Sequence, residues 1–317
     1  TSVICTRTRS SWPDVVRRLR VMARRLRVVM LPEYGGKMAS LVDKATGREF
    51  LVQAQGSEYK KLQYAGNYVA AECSGFDDMF PTIDTWAYDK YPWQGVEMPD
   101  HGEVCGLPWA YEAAGEELHC WVYGVRFPYR LDKWLQFEAD DILAIRYKVQ
   151  NLSPFDLDCI WAAHVMINAE PGARISLPYP DGAGAVCVFS QDKAFAVPGM
   201  AMNWPKTNAV SQGVADISRT RQDGGNTYKF YFNEPMHQGW CEYAYPDGTA
   251  LRLGVSEQVK YLGVWINEGA FKGYNNIAFE PCTGTFDHPG AAIAHGQNSV
   301  LSGNGSYEWQ LKFQIAR

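Results

Sequence analysis

The sequence has no run of about 18 apolar residues, so no transmembrane helix is expected. Its eight cysteines (5, 73, 105, 120, 159, 187, 241 and 282) form no C-x-x-C pair. A zinc framework and a disulfide scaffold are therefore both disfavoured, and reduced, buried thiols in a cytoplasmic protein are expected. An excess of positive charge is missing too. The formal net charge of −5 argues against nucleic acid as a partner. No two histidines stand at a short ligand spacing such as H-x-x-x-H, so no metal site is expected. A fixed repeat of about 20–50 residues is absent as well, which disfavours propellers and solenoids. After residue 30 no helical hydrophobic period exceeds about three turns.

What the chain does have is short strands. Residues 26–31, 37–42 and 48–52 read as three strands joined by the turns Pro32-Glu-Tyr-Gly-Gly and Asp43-Lys-Ala-Thr-Gly. Further strand-like runs follow at 119–126, 135–137, 142–150, 157–167, 185–189, 227–232, 239–245, 250–256, 261–266, 278–279 and 309–314. Turn signals such as Pro246-Asp247-Gly248 and Gly303-Asn304-Gly305 separate them. Strands without intervening helices predict an all-β fold, a large antiparallel β-sandwich of two stacked sheets. With 46% hydrophobic residues the chain can bury one large core, and the span 26–317 shows no composition break, so it reads as a single domain.

Residues 1–25 differ from the rest. Residues 1–27 hold eight arginines, no lysine and the single acid Asp14. Ser11-Trp12-Pro13-Asp14 resembles a helix start, and Val15, Leu19, Met22 and Leu26 share one helical face. The spacing predicts a short N-terminal helix on a basic extension. It is read as a surface element rather than a membrane-bound or targeting helix.

The most informative stretch runs from Glu72 to Trp109. It holds eight carboxylates against one lysine, with three tryptophans, four prolines and four glycines. Such a mixture predicts long ordered loops that line something. Carboxylates that accept hydroxyl hydrogen bonds, beside flat apolar rings, suit a sugar. Three residues, one in this stretch and two beyond it, could do chemistry. His101 lies in the turn Pro99-Asp100-His101-Gly102-Glu103. His164 interrupts the apolar strand Cys159–Asn168, where an imidazole must find partners or line a cavity. Glu280 ends the apolar run before Pro281, where burial would raise its pKa towards that of a general base.

Taken in order, these segments resemble the aldose 1-epimerase (galactose mutarotase) family. The resemblance covers roughly residues 26–317. It rests on the opening Leu31–Asp43 hairpin, on His101-Gly102, on Ala163-His164 through Asn168, and on Phe279-Glu280-Pro281 beyond a strand bearing Trp265 and Asn267. It implies a mutarotase-like β-sandwich (supersandwich) with a sugar cleft on one concave sheet, interconverting the α- and β-anomers of an aldose without cofactor or metal. By analogy Glu280 is the base, His164 the acid, and His101 a helper at the ring-side oxygens. Asp78, Asp100, Glu103, Trp93, Trp109, Trp265 and Asn267 are the expected substrate-binding residues, with Trp93 and Trp109 as stacking surfaces. The expected partner is a monosaccharide or short glycan.

The chain departs from the family pattern in two places. No arginine occurs between Arg48 and Arg126, where the family commonly has a substrate-contacting one, and Gly75–Pro81 stands in its place. The family's substrate-binding aspartate has no clear counterpart, since Asp247 sits in a Pro-Asp-Gly turn. A strongly anionic ligand is disfavoured by the local carboxylates unless a distant Arg or Lys enters the cleft. The alternatives are a non-catalytic sugar-binding protein on the same fold and, further off, an enzyme related to polysaccharide lyases.

Overall fold

The structure is a computed structural model that describes residues 2–7, 17–55, 59–221 and 224–316. Two large antiparallel sheets dominate it. The first has eleven strands in the spatial order Ser2–Arg7, Arg17–Met22, Leu26–Leu31, Lys37–Asp43, Phe76–Met79, Ala162–Asn168, Asn275–Cys282, Tyr261–Glu268, Thr227–Phe232, Gly184–Ser190 and Ala201–Asn203. The second has eight, from Arg174–Ser176 through Trp240–Ala244, Ala250–Val255, Ser306–Ala316, Ile142–Asn151, Tyr129–Ala139 and Glu117–Tyr123 to Ala110–Ala114.

The two sheets are patterned differently, and that difference places the site. In the eight-stranded sheet burial alternates. Along Ser306–Ala316 the side chains of Trp309, Leu311, Phe313 and Ile315 are buried while their neighbours are not, as expected where one face is solvated. Its inner face meets the larger sheet through rings such as Phe76 on Phe313, Phe80 on Tyr129 and Trp161 between Tyr147 and Trp309. The middle strands of the larger sheet are buried on both faces, with Thr227–Phe232 and Asn275–Cys282 almost wholly covered. Their second face is roofed by loops. Backbone bonds from Ile83 and Asp84 N–H to the Asp287 carbonyl, and from His101 N–H to the Ile83 carbonyl, tie two of these loops together.

The predicted N-terminal helix is not what residues 17–26 form. Arg17–Met22 is a strand paired antiparallel with Leu26–Leu31, with Leu19 opposite Met30 and Val21 opposite Val28. The sequence Arg-Leu-Arg-Val also alternates with period two. That period prevails because Leu19 and Val21 bury completely in the shared core while Arg18 and Arg20 remain partly exposed. The helix start expected at 11–14 lies outside the described residues. Among the described residues the α-helix is a short one, Pro289–Ala294. The strand expected at 48–52 is reduced to isolated bridges at Glu49 and Leu51. The seven cysteines with described side chains are free and buried. Among the described residues no helix is long and apolar enough to cross a membrane.

Candidate functional site

On the roofed face of the larger sheet, strand register assembles a row of side chains. His164 stands opposite Asp77 on one side, and the register that pairs Val165 with Phe279 puts Glu280 opposite it on the other. Glu280 in turn faces Gly263, and Gly263 faces Tyr231. Opposed residues in an antiparallel ladder share a face, so Asp77, His164, Glu280 and Tyr231 all project towards the roof. Gly263 keeps the row open, since a Cβ there would sit 2.8 Å from the Tyr231 ring. One step along the strands a second row holds Met166, Ala278, Trp265 and Lys229.

The loop 99–106 supplies the roof side. His101 adopts a left-handed φ of 58°, sparsely populated for a side-chain-bearing residue. Gly102 follows at 77° with its Cα against the Phe80 backbone, where a Cβ would lie 2.3 Å from the carbonyl oxygen. Bonds from Gly102 N–H to the Pro99 carbonyl and from Glu103 N–H to the Phe80 carbonyl fix the turn. His101 then reaches a cavity of about 270 Å³ bounded by both rows.

His101, His164, Glu280, Asp100 and Trp265, predicted from distant parts of the sequence, all line this one cavity. His164 Nε2 lies 3.9 Å from Glu280 Oε1. Asp100 Oδ1 is 2.7 Å from His101 Nδ1. The Tyr68 ring lies flat on His101 at 3.8 Å, and its hydroxyl is 3.1 Å from His164 Nδ1. Trp265, stacked with Phe189 and edge-on to Phe271, forms an apolar wall.

Five expected binding residues lie elsewhere. Asp78 follows Asp77 on its strand and therefore points the opposite way, between the sheets, where it accepts bonds from Lys133 Nζ at 2.8 Å and Trp161 Nε1 at 3.1 Å. Trp109 is buried, donates to the Val104 carbonyl, and covers Gly36 and the Lys133 ammonium. Trp93 packs against the main core beside Tyr88, Phe127 and Phe155. Glu103 accepts from the Tyr64 hydroxyl and from Val125 and Arg126 N–H, anchoring the loop that carries His101. Asn267 spends its amide on Thr227, Phe271 and Asn276, holding the turn that presents Phe271. In each case the residue type was suited to a sugar, but the side chain is engaged by the scaffold and does not line the cavity.

Sequence reasoning missed Lys229, Asp287, Tyr68 and Asp84, which also line the cavity. Lys229 Nζ donates to Glu280 Oε2 at 2.5 Å and Asp287 Oδ1 at 2.7 Å, and the Tyr231 hydroxyl donates to the same Asp287 oxygen. A signal for Lys229 existed, because a lysine inside Thr-Tyr-Lys-Phe-Tyr-Phe interrupts an apolar strand just as His164 does. It is a distant lysine that enters the cleft, and two carboxylates already share it.

Burial and neighbouring charge set the protonation of the site. Burial lowers the Lys229 ammonium, but the Asp287 and Glu280 charges outweigh it and keep the group protonated. Burial lifts the Glu280 carboxyl above its ordinary value despite the pull of Lys229. His164 is held well below the ordinary histidine value, first by burial and then by facing His101, Lys229 and Lys37. Asp100 falls below the carboxylate range because its bonds to His101 and to the Tyr68 N–H outweigh its burial. Asp84, exposed at the mouth, is raised by desolvation and by Asp287 and Asp100.

Comparison with known proteins agrees with this architecture. No family model matches the sequence, and no curated protein matches it. Solved structures do. A protein from Synechocystis sp. superposes with a TM-score of 0.69 at 16% identity, covering 96% of this chain and 97% of that one. A putative aldose 1-epimerase from Escherichia coli gives 0.65 at 15% identity over 94% and 98%. A galactose mutarotase-like protein from Clostridium acetobutylicum gives 0.66 at 14% identity over 99% of each chain. The likeness is one of architecture: this chain has the galactose mutarotase-like β-sandwich fold.

Proposed function

We propose that the chain binds an aldose in this cavity and interconverts its anomers by acid–base ring opening. The observation that carries the reading is convergence: Glu280, His164 and His101, from three separate segments, meet in one cavity beside the Trp265 wall. Ring opening needs a base for the proton on the anomeric O1 and an acid for the ring oxygen. Rotation about C1–C2 and the reverse transfers then give the other anomer. Glu280 is the base. Lys229 occupies Oε2, so Oε1 is the oxygen that takes the proton. The family resemblance implies His164 as the acid, but burial among cations holds His164 neutral. His101 is the better donor, with Asp100 on Nδ1 and Nε2 left for the ring oxygen. Trp265 and Phe271 offer faces to the C–H side of the sugar.

One observation favours a second reading, a sugar-binding protein without turnover: an ammonium on Glu280 makes it a weaker base. Exchange NMR or polarimetry on freshly dissolved aldoses tests both. Acceleration of anomer exchange for at least one sugar supports the enzyme. Saturable sugar binding with no acceleration across a broad panel supports the binding protein and sinks the proposal.

A further inference from the structure

A chain of buried polar groups runs from the cavity wall into the fold, and the acid–base chemistry does not use it. Lys37 Nζ donates to the Ser74 carbonyl and, at 2.5 Å, to Asp77 Oδ2. The Tyr68 hydroxyl lies 2.8 Å from the same Asp77 oxygen and 3.1 Å from His164 Nδ1. Lys37, Asp77, Tyr68 and His164 are all buried. A phenol has one proton to give. Asp77, ion-paired with Lys37, can only accept, so the Tyr68 proton lies on the Asp77 side. The Tyr68 oxygen then meets His164 as an acceptor, and Nδ1 must carry the hydrogen that bridges them. A neutral imidazole has one N–H, and here it is spent inwards.

We infer that Tyr68 is a positioning residue: its hydroxyl, oriented by the Lys37–Asp77 pair, fixes His164 as the Nδ1–H tautomer, so a lone pair at Nε2 faces the cavity. The same ring lies flat on His101, so one side chain sets the orientation of both histidines. This rests on the anomer-exchange reading for its role in turnover. There, Nε2 of His164 accepts a hydrogen bond from a sugar hydroxyl beside Glu280, and it does not donate to the ring oxygen. The recognised feature is thus a hydroxyl pointing at the His164–Glu280 pair, and a deoxy sugar lacking it is bound less well.

The tautomer is read directly by heteronuclear NMR of isotope-labelled histidine in the ligand-free protein at neutral pH. The wild type is expected to show His164 protonated at Nδ1. Tyr68→Phe keeps the ring over His101 and removes only the hydroxyl. It should shift the His164 tautomer ratio towards Nε2–H by about tenfold, the equivalent of one hydrogen bond, and lower kcat by a similar factor. An Nε2–H signal for His164 in the wild type overturns the proposal, as does an unchanged tautomer ratio in the variant. Should Tyr68→Phe fail to fold, the wild-type pattern decides alone, Nδ1–H supporting and Nε2–H overturning. Because the spectrum needs no substrate, failure of the tautomer assignment is distinguishable from failure of the anomer-exchange reading, which would show as no turnover of any aldose by the wild type.

Discussion

Two histidines in this molecule have nearly the same immediate surroundings and sit in opposite circumstances. His101 has an aspartate oxygen 2.7 Å from a ring nitrogen and lies flat on Tyr68. His119 also has an aspartate oxygen, from Asp132, at 2.7 Å, and lies flat on Trp134. On the outer face of the eight-stranded sheet, however, His119 has Glu112 at its other nitrogen and Trp121 at its other side. Arg130 and Arg146 close the two ends of this stack over Trp121 and Trp134. Every face and both nitrogens are occupied by the protein. His101 keeps one nitrogen for a cavity that also holds a second histidine and a buried carboxylate. An Asp–His pair beside an aromatic ring is thus a local motif of either kind, and what separates a reactive site from a structural one is the unspent valence facing open space.

The sharpest way to break this contrast is at Glu280. Glu280→Gln should lower anomer exchange on the order of 10³-fold, the scale of a lost general base. Binding should persist, because Asp287 still partners Lys229. Sugar binding by calorimetry alongside exchange NMR separates the two, and unchanged turnover would remove Glu280 from the chemistry. Next comes the paired comparison of the histidines. His101→Asn should cost about 10²-fold in kcat, whereas the same substitution at His119 should leave kcat and KM where they are. Equal losses at the two positions would mean that the cavity does not single out the working histidine.

Much of this was readable from the sequence, and the misses share a cause. Strand identity was legible because turn residues punctuate apolar runs, and Thr227–Phe232 occupies the residues its pattern predicted. His164 and Glu280 were legible because a polar residue that interrupts or ends an apolar run has few other reasons to be there. Asp78, Glu103, Trp93, Trp109 and Asn267 were expected at the cavity and lie elsewhere, because composition tells which chemistry a segment suits and not which way a side chain faces. Asp77 and Asp78 are neighbours in the chain, yet strand alternation sends one to the site and the other to Lys133. Lys229 meets Glu280 only through sheet register, and Asp287 meets Lys229 only through loop closure, pairings that no local pattern announces. At the N-terminus two periodicities competed, and the described residues follow the one that places Leu19 and Val21 in a core.

A smaller effect separates the cavity from the outer stack in pH. His164 is buried and held below its ordinary value of 6.5, facing His101, Lys229 and Lys37 with Glu280 and Tyr68 beside it. The unfolded chain binds that proton more readily than the folded one. The contribution is therefore present in full above about pH 6.5 and is shed as the pH falls below it, towards the depressed folded value. Glu280, raised in the folded state, works in the opposite sense, its contribution growing as the pH falls. Below about pH 6.5, His164 alone should therefore lower stability progressively as the pH falls. Denaturant midpoints at pH 7 and pH 5.5 should fall less in His164→Gln than in the wild type. An identical fall in both would show that His164 is protonated as easily folded as unfolded.

The smallest effect belongs to the outer stack itself. His119→Ala removes a ring from between Trp121 and Trp134 and leaves Asp132 with Arg130, which already holds it through three contacts. Because Asp132 keeps its cation, no buried charge is stranded, and the cost is confined to ring packing and a partly exposed ion pair, about 1 kcal/mol. The measurement is a denaturant melt with exchange kinetics on the same sample. Stability should drop slightly while turnover holds. A loss of turnover with stability intact would place the outer face, with its two capped tryptophans, in the path of the substrate and dissolve the distinction between a spent histidine and a free one.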